Sequence, residues 1–210
     1  MDIQNFWMFA LTGLLLNLTP GNDMIYVASR STGQGIKAGI ISALGIMGGC
    51  FVHIIAAVVG LSAIISRSAL AFDLIKYLGA VYLIYLGIRS LLSKKRSVAL
   101  NNITPLHSFT RIFWQGVITN TLNPKVALFF LAFLPQFINI NSNGTLWQIL
   151  FLGSWFNVSG TVVNIMVALL FGKMGNWLSK APCFIQWQER ITGMVLVGLG
   201  IKVAITKSPS

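Results

Sequence analysis

Long apolar runs separated by short polar connections constrain this chain more than any other feature. A hydrocarbon core of about 30 Å takes about 20 apolar helical residues to cross. Only 9% of the residues are charged, against about 25% in a typical soluble domain, so the chain lacks the charge to cover a globule in water. We therefore predict an all-α integral membrane protein with six transmembrane helices. The six runs cover residues 6–28, 38–65, 72–92, 112–138, 146–171 and 191–205.

The charged residues predict how the chain is oriented in the lipid bilayer. The formal net charge is +11, from 15 Lys and Arg against 4 Asp and Glu. A nucleic-acid binder would cluster such charge on a soluble basic face, whereas here most cations lie after the first, third and fifth runs. The positive-inside rule makes those connections cytoplasmic and both termini external. If the first run does not span fully, the N-terminus is cytoplasmic instead.

An internal repeat divides the chain into two halves. The first and fourth runs share a Gly, Asn, Pro pattern, and the third and sixth share a cation and two glycines. These residues are Gly13, Asn17, Pro20, Lys76, Gly79 and Gly87, echoed by Gly116, Asn120, Pro124, Arg190, Gly193 and Gly200. We predict a three-helix repeat over 1–95, a basic cytoplasmic linker over 96–110 and a second three-helix repeat over 111–210. Three spans per half make the repeats inverted, as in secondary transporters. Chance similarity between Gly-rich membrane helices is the alternative.

Two prolines predict breaks in the first helix of each repeat. Pro20 removes the donor that the carbonyl of Leu16 needs, and Gly21 adds backbone freedom. We expect a second half-helix to begin near Pro20, with a partly positive N-terminus that suits a carboxylate. Pro124 frees the carbonyl of Asn120 in the same way, with Asn123 and Lys125 beside it. A broken helix in lipid must face protein or a water-filled cavity. The alternative is a simple kink.

Two ionisable residues accompany these breaks. Asp23 is the only acid well inside a predicted span, and such residues usually face the bundle interior. It can carry a proton, bind a substrate ammonium or pair with a cation; alternatively, it caps the half-helix. Lys125 is the only cation deep inside a span. It can meet a substrate carboxylate or neutralise Asp23; alternatively, it snorkels to the surface.

Polar side chains in two further runs are candidates for the same pathway. His53 follows Gly45 and Gly49 at helical spacing, on a small-residue face that favours close packing and turns the imidazole inward. It can relay protons or hydrogen-bond a neighbouring helix. Asn157 shares a face of the fifth run with Thr161, where it can line a pathway or join helices.

Several motifs resemble those of the LysE/RhtB family of amino-acid exporters. They are Leu-Thr-Pro-Gly-Asn-Asp at 18–23, the glycine-bounded segment 78–87 and Thr-Asn-Thr-Leu-Asn-Pro-Lys at 119–125. One departure is Asn22, where the family usually has a second proline. The resemblance, closest to the threonine, homoserine and leucine branch, implies export of amino acids or close derivatives across a bacterial inner membrane. It also implies drive by the proton-motive force, with substrate and protons as partners.

Two other classes of protein compete with this interpretation. A small-cation or metal-ion exporter would need clustered carboxylate, His or Cys ligands, which the spans do not supply. A membrane enzyme or assembly protein would need a nucleophile–base pair or a metal motif. No such pair, metal-ligand spacing or phosphate-binding loop is visible in the sequence, so we expect no enzyme activity and no cofactor. A homo-oligomer is possible on the sequence alone.

Overall fold

A computed structural model describes residues 5–65, 69–92, 107–139, 144–178 and 182–205. The regular elements in these ranges are helices and none is a strand, which confirms the all-α prediction for this part of the chain. The α-helices are α1 (Phe6–Leu18), α2 (Asn22–Gln34), α3 (Ile36–Ile65), α4 (Ala69–Leu91), α5 (Phe109–Thr121), α6 (Pro124–Leu128), α7 (Thr145–Leu178) and α8 (Pro182–Ile205). A π-helix (Phe129–Phe133) and a 3-10 helix (Leu134–Phe137) follow α6 directly.

Two described helices are long and apolar enough to cross a membrane alone, α3 over Ile36–Gly60 and α7 over Thr145–Lys173. A third span results if α5 and the segment Pro124–Phe137, bent by 45° relative to each other, are counted together. Shorter apolar stretches lie in α1, α4 and α8. The described residues therefore supply two or three spans by length and composition, and the six-span arrangement stays a prediction.

The first predicted run consists of two helices joined by a three-residue break. α1 ends at Leu18 and α2 begins at Asn22, so the second half-helix begins near Pro20 as expected, but Pro20 is not its first residue. Pro20 lies in the break instead, because Gly21 is fully extended (φ −160°, ψ −174°) and acts as the N-cap. In the second break, Pro124 is the first residue of α6, where a missing N–H costs nothing.

Equivalent helices of the two predicted repeats run antiparallel where they meet. α4 packs along α8, and residue numbers rise along one helix as they fall along the other. A Cβ on Gly87 would lie 2.7 Å from the carbonyl oxygen of Gly193, and one on Gly200 would lie 2.7 Å from that of Ala80. Three of the repeated glycines, Gly87, Gly193 and Gly200, are therefore points of close approach between these two backbones, whereas Gly79 faces Ala132.

A second close approach joins α3 to α5, and these helices run parallel. A Cβ on Gly45 would lie 2.2 Å from the carbonyl oxygen of Phe113, and one on Gly49 would lie 2.5 Å from that of Val117. The small-residue face predicted around His53 is thus filled by α5, and His53 itself is buried. This packing sets how close α3 comes to the end of α5, where the second break begins.

The core on one side of the two breaks is aromatic. Phenylalanine rings from α1, α7 and the π-helix and 3-10 segments pack with centroids 4.2–6.3 Å apart. They are Phe9, Phe129, Phe130, Phe133, Phe137 and Phe156, all buried. The breaks therefore have a dry, densely packed wall on the side toward the start of α1 and the end of the 3-10 segment.

Candidate functional site

The two helix breaks meet through Lys125. Its ammonium donates to the carbonyl oxygens of Leu16 and Thr19, both at 3.1 Å, at the end of α1. The Leu16 carbonyl is the one that Pro20 leaves without its helical donor, and it also accepts from the Thr19 N–H. The half-buried Lys125 thus caps the broken helix of the other half rather than snorkelling to the surface, because these carbonyls are its hydrogen-bond partners.

Gly21 allows this close approach. A Cβ at position 21 would lie 3.2 Å from the Nζ of Lys125, closer than ordinary van der Waals contact. The backbone of Gly21 is extended, a conformation open to any residue, so a side chain here would be resisted only by contact with Lys125, which would have to shift by a few tenths of an ångström. Its missing side chain also leaves the first turn of α2 without a side-chain cap.

Asp23, Asn120 and His53 form a second connection between the breaks. The Asn120 amide nitrogen donates to Asp23 Oδ2 at 2.8 Å. The Asn120 carbonyl, freed by Pro124, accepts from His53 Nε2 at 2.9 Å and from the Asn123 N–H at 2.8 Å. Because a carbonyl can only accept, this bond places a proton on Nε2 of His53. All three side chains are buried, so a charged Asp23 here depends on these few polar neighbours.

No direct hydrogen bond or ion pair joins Asp23 to Lys125, one of the alternatives that the sequence left open, although the two charges are close enough to interact. Lys125 donates to backbone carbonyls, and Asp23 accepts from the Asn120 amide. Asp23 does lie in the first turn of α2, where the helix dipole favours a negative charge, but the N-cap is Gly21. Its hydrogen bond goes across to α5, which argues against a role limited to capping α2.

Buried polar atoms without partners cluster beside this connection. Asp23 Oδ1, Asn120 Oδ1, Asn123 Nδ2 and Thr121 Oγ1 have no hydrogen bond. Leaving such an atom unsatisfied costs about 1–3 kcal/mol. Unsatisfied groups of both kinds, donors and acceptors, suit a site that receives a polar molecule or a proton in another state of the protein.

Two other predicted site residues lie apart from this centre, in contacts with α7. The Asn17 amide donates to the carbonyl of Phe156 and to Ser159 Oγ, both at 3.1 Å. The Asn157 amide donates to the carbonyl of Met47 at 3.2 Å, which links α7 to α3. Both side chains therefore join helices. The remaining predicted residues lie together at the breaks: Pro20, Gly21, Asp23, His53, Asn120, Asn123, Pro124 and Lys125.

A cavity of about 190 Å³ lies beside the two breaks, and Asp23 is not among its lining residues. Both breaks line it, through residues 19–22 and 123–125. The opposite wall comes from α4 and α8, through Tyr82, Leu86, Arg89, Ser90 and Leu196. The first residue of α2, Asn22, thus lines a cation-lined cavity, whereas the next residue, Asp23, is buried.

The sequence analysis missed the α4 wall. Tyr82, Leu86 and Arg89 are spaced i, i+4 and i+7, so they share one face of α4. That spacing was the available signal, but the direction in which the face points depends on how α4 packs.

Arg30 was placed in a connection, and it is buried inside α2. Its guanidinium donates to Gln34 Oε1 at 3.0 Å and to Gln115 Oε1 at 2.9 Å, and it lies 5.6 Å from the ring centroid of Tyr26. Partial desolvation, Arg111 and Arg30 lower the pKa of nearby His107, so this imidazole is neutral at pH 7. The cluster ties α2 to the beginning of α5 without a carboxylate among the described residues.

Apolar helices of membrane length around paired, polar helix breaks are typical of a multi-pass membrane transport protein. The sequence profile of the LysE type translocator family matches residues 14–207. The chain belongs to this family and is a multi-pass protein of the bacterial inner membrane.

Similar proteins cover the chain nearly end to end. The membrane protein YrhP of Bacillus subtilis is 33% identical over 200 residues, 91% of this chain and 94% of that protein. The homoserine/homoserine lactone efflux protein of Salmonella typhimurium is 33% identical over an alignment that covers 94% of this chain and 96% of that protein. The leucine efflux protein of Salmonella choleraesuis is 25% identical over an alignment that covers 98% of this chain and 97% of that protein. No solved structure matches the chain.

Proposed function

We propose that this chain is a secondary exporter, not an enzyme, that moves small amino acids of the threonine, homoserine and leucine type out of the cytoplasm in exchange for protons. The observation that carries the proposal is the junction of the two helix breaks, where Asp23 and Lys125 are held by groups from the opposite half. The printed names of two relatives, both efflux proteins, support the substrate class.

The proposed architecture is six membrane-spanning helices in two inverted repeats. The antiparallel packing of α4 against α8 supports it, because equivalent helices of inverted repeats run in opposite directions. Asp23 accepts a hydrogen bond from Asn120, and Tyr26 donates one to the carbonyl of Ile112. Because residue numbers rise along one helix as they fall along the other, the two broken helices also run antiparallel. In this arrangement the basic linker over 96–110, most of which lies outside the described residues, is cytoplasmic and both termini are external.

The proposed substrate site is the cavity between the breaks. An apolar cavity of about 150 Å³ holds benzene, so a space of about 190 Å³ suits a small amino acid. Lys125 and the uncapped first turn of α2 supply positive charge for the carboxylate. Asn123 also lines the cavity, and its side chain lies close to the buried Asp23 carboxylate, so this residue connects the cavity to Asp23.

The proposed coupling residue is Asp23. A charged Asp23 directly behind the cavity wall favours the substrate ammonium, whereas a protonated Asp23 has no negative charge to offer it. Binding of a proton to Asp23 then weakens binding of the substrate, and binding of the substrate weakens binding of the proton, which is the condition for antiport. Asn120 and His53 connect Asp23 to α3, and His53 is a second titratable side chain close to this connection.

An uptake panel in proteoliposomes tests the proposal. Leucine, homoserine, threonine, lysine and a divalent cation are compared with and without a pH gradient. We expect accumulation of the neutral amino acids that rises with the gradient and is abolished by a protonophore. Accumulation of the metal ion alone, or amino-acid uptake that ignores the gradient, would contradict it.

A further inference from the structure

The charged side chains that line the cavity between the breaks are all positive. Lys125 and Arg89 contribute positive charge, and none of its lining residues is Asp or Glu. Asp23, the residue after the lining residue Asn22, is buried and does not line the cavity. The cavity therefore favours a ligand group that carries negative charge, and it disfavours a ligand whose only charge is positive.

The two cations differ in how much of their hydrogen-bonding capacity is already used. The Lys125 ammonium has three donors, and the carbonyls of Leu16 and Thr19 accept two of them. Arg89 makes no hydrogen bond or ion pair within the described part of the chain. Its five N–H donors are thus available to a ligand in the cavity.

We propose that Arg89 is the residue that recognises the substrate carboxylate, and that a free carboxylate is required for transport. This inference rests on the proposed exporter function and names its substrate class more narrowly. A guanidinium matches a carboxylate with two parallel hydrogen bonds, a geometry that an ester, lactone or amide carbonyl cannot complete. Lys125, held in place by α1, adds charge from the opposite wall.

The rest of the α4 and α8 wall defines the side chain of the substrate. Leu86 and Leu196 are apolar, and they lie on the wall that carries Arg89. An uncharged side chain of leucine size buries apolar surface there, whereas a lysine side chain would bring a second positive charge to a cationic cavity. The chain should therefore export leucine- and homoserine-like amino acids and reject both basic amino acids and homoserine lactone.

A competition assay distinguishes these ligands without depending on how fast each crosses the lipid. Purified protein in proteoliposomes exchanges labelled leucine, and unlabelled leucine, homoserine, homoserine lactone and leucinamide compete. In the wild-type protein we expect the lactone and the amide to compete at least tenfold more weakly than the matching amino acids. Arg89→Gln should raise the KM for leucine about 10- to 100-fold with little change in kcat, as expected for lost hydrogen bonds to a charged group.

Two further variants separate recognition from folding and from general charge. Arg89→Lys keeps the charge but loses the two-pronged geometry, and it should give an intermediate KM. Arg111→Gln removes an exposed cation that does not line the cavity, and it should leave KM unchanged. Thermal unfolding of each purified variant in detergent identifies any that fail to fold. If Arg89→Gln does not fold, the KM of Arg89→Lys decides.

The outcomes distinguish the inference from the function on which it rests. If labelled amino acids exchange but the lactone competes as well as homoserine, only the carboxylate requirement fails. If Arg89→Gln or Arg89→Lys keeps the wild-type KM, Arg89 merely complements the end of α4 or a lipid headgroup and the assignment fails. If the folded wild-type protein exchanges no amino acid, the proposed function fails and the inference fails with it.

Discussion

Replacing Gly49 by alanine should disturb the polar centre from outside it. The new Cβ would lie 2.5 Å from the carbonyl oxygen of Val117 and 2.9 Å from the Cβ of Asn120. Ordinary contact begins near 3.4 Å, so α5 must shift by about 0.9 Å, the difference from 2.5 Å. The 2.8 Å bond from Asn120 to Asp23 cannot absorb that shift and stay within 3.5 Å unless other groups move too.

The expected cost of Gly49→Ala combines overpacking with a weakened hydrogen bond. Overpacking alone costs about 1–3 kcal/mol, equivalent to a fall in Tm of roughly 2–12 °C for a protein of this size. We expect gradient-driven export to fall further than Tm, because Asn120 holds the coupling residue. Thermal unfolding in detergent and transport in proteoliposomes measure the two effects.

The matched control is Gly60→Ala on the same helix. No atom in the described part of the chain lies within 4 Å of a Cβ at Gly60, so this change should leave Tm and transport unaltered or raise stability slightly. Wild-type Tm and transport in Gly49→Ala would refute the argument that α3 sets the position of Asn120. Equal losses in both variants would trace the effect to general helix propensity.

Three further substitutions have expected outcomes. Lys125→Met should lower the free energy of unfolding by about 1.5–3 kcal/mol, because two backbone carbonyls lose a charged hydrogen-bond donor. The control Lys37→Met, at an exposed site, should leave this free energy unchanged, and thermal unfolding of both purified variants compares them. Arg30→Met should lower Tm by several degrees while leaving leucine KM unchanged, and a changed KM would mean that Arg30 contacts substrate. Asn17→Ala should lower Tm but keep the pH dependence of export, and loss of that dependence would place Asn17 in the coupling pathway.

The positions of both breaks could be predicted from the sequence, because proline removes a specific hydrogen bond whatever its surroundings. That the breaks meet followed from the repeat and from the need to shelter exposed backbone from lipid. The first residue of α2 could not be predicted, because Gly21 takes the N-cap position to make room for Lys125. Sequence spacing carries no information on that contact between halves.

The roles of the cations depended on tertiary packing. Arg30 and Arg89 lie near helix ends, where a positive charge is normally solvated, and the topology rule counts them in the same way. One is buried against Gln115, and the other lines the cavity. Only the rotation of α2 and α4 about their axes distinguishes the two, and that rotation is set by the helices around them.

The coupling role of Asp23 is the central claim, and the variant Asp23→Asn tests it most directly. Asparagine keeps the shape of the side chain but cannot titrate. Purified Asp23→Asn in proteoliposomes is assayed for leucine exchange at equal pH and for accumulation driven by a pH gradient. The account predicts that gradient-driven accumulation is lost and that any remaining exchange no longer depends on pH. Accumulation at the wild-type rate with the wild-type pH dependence would contradict it.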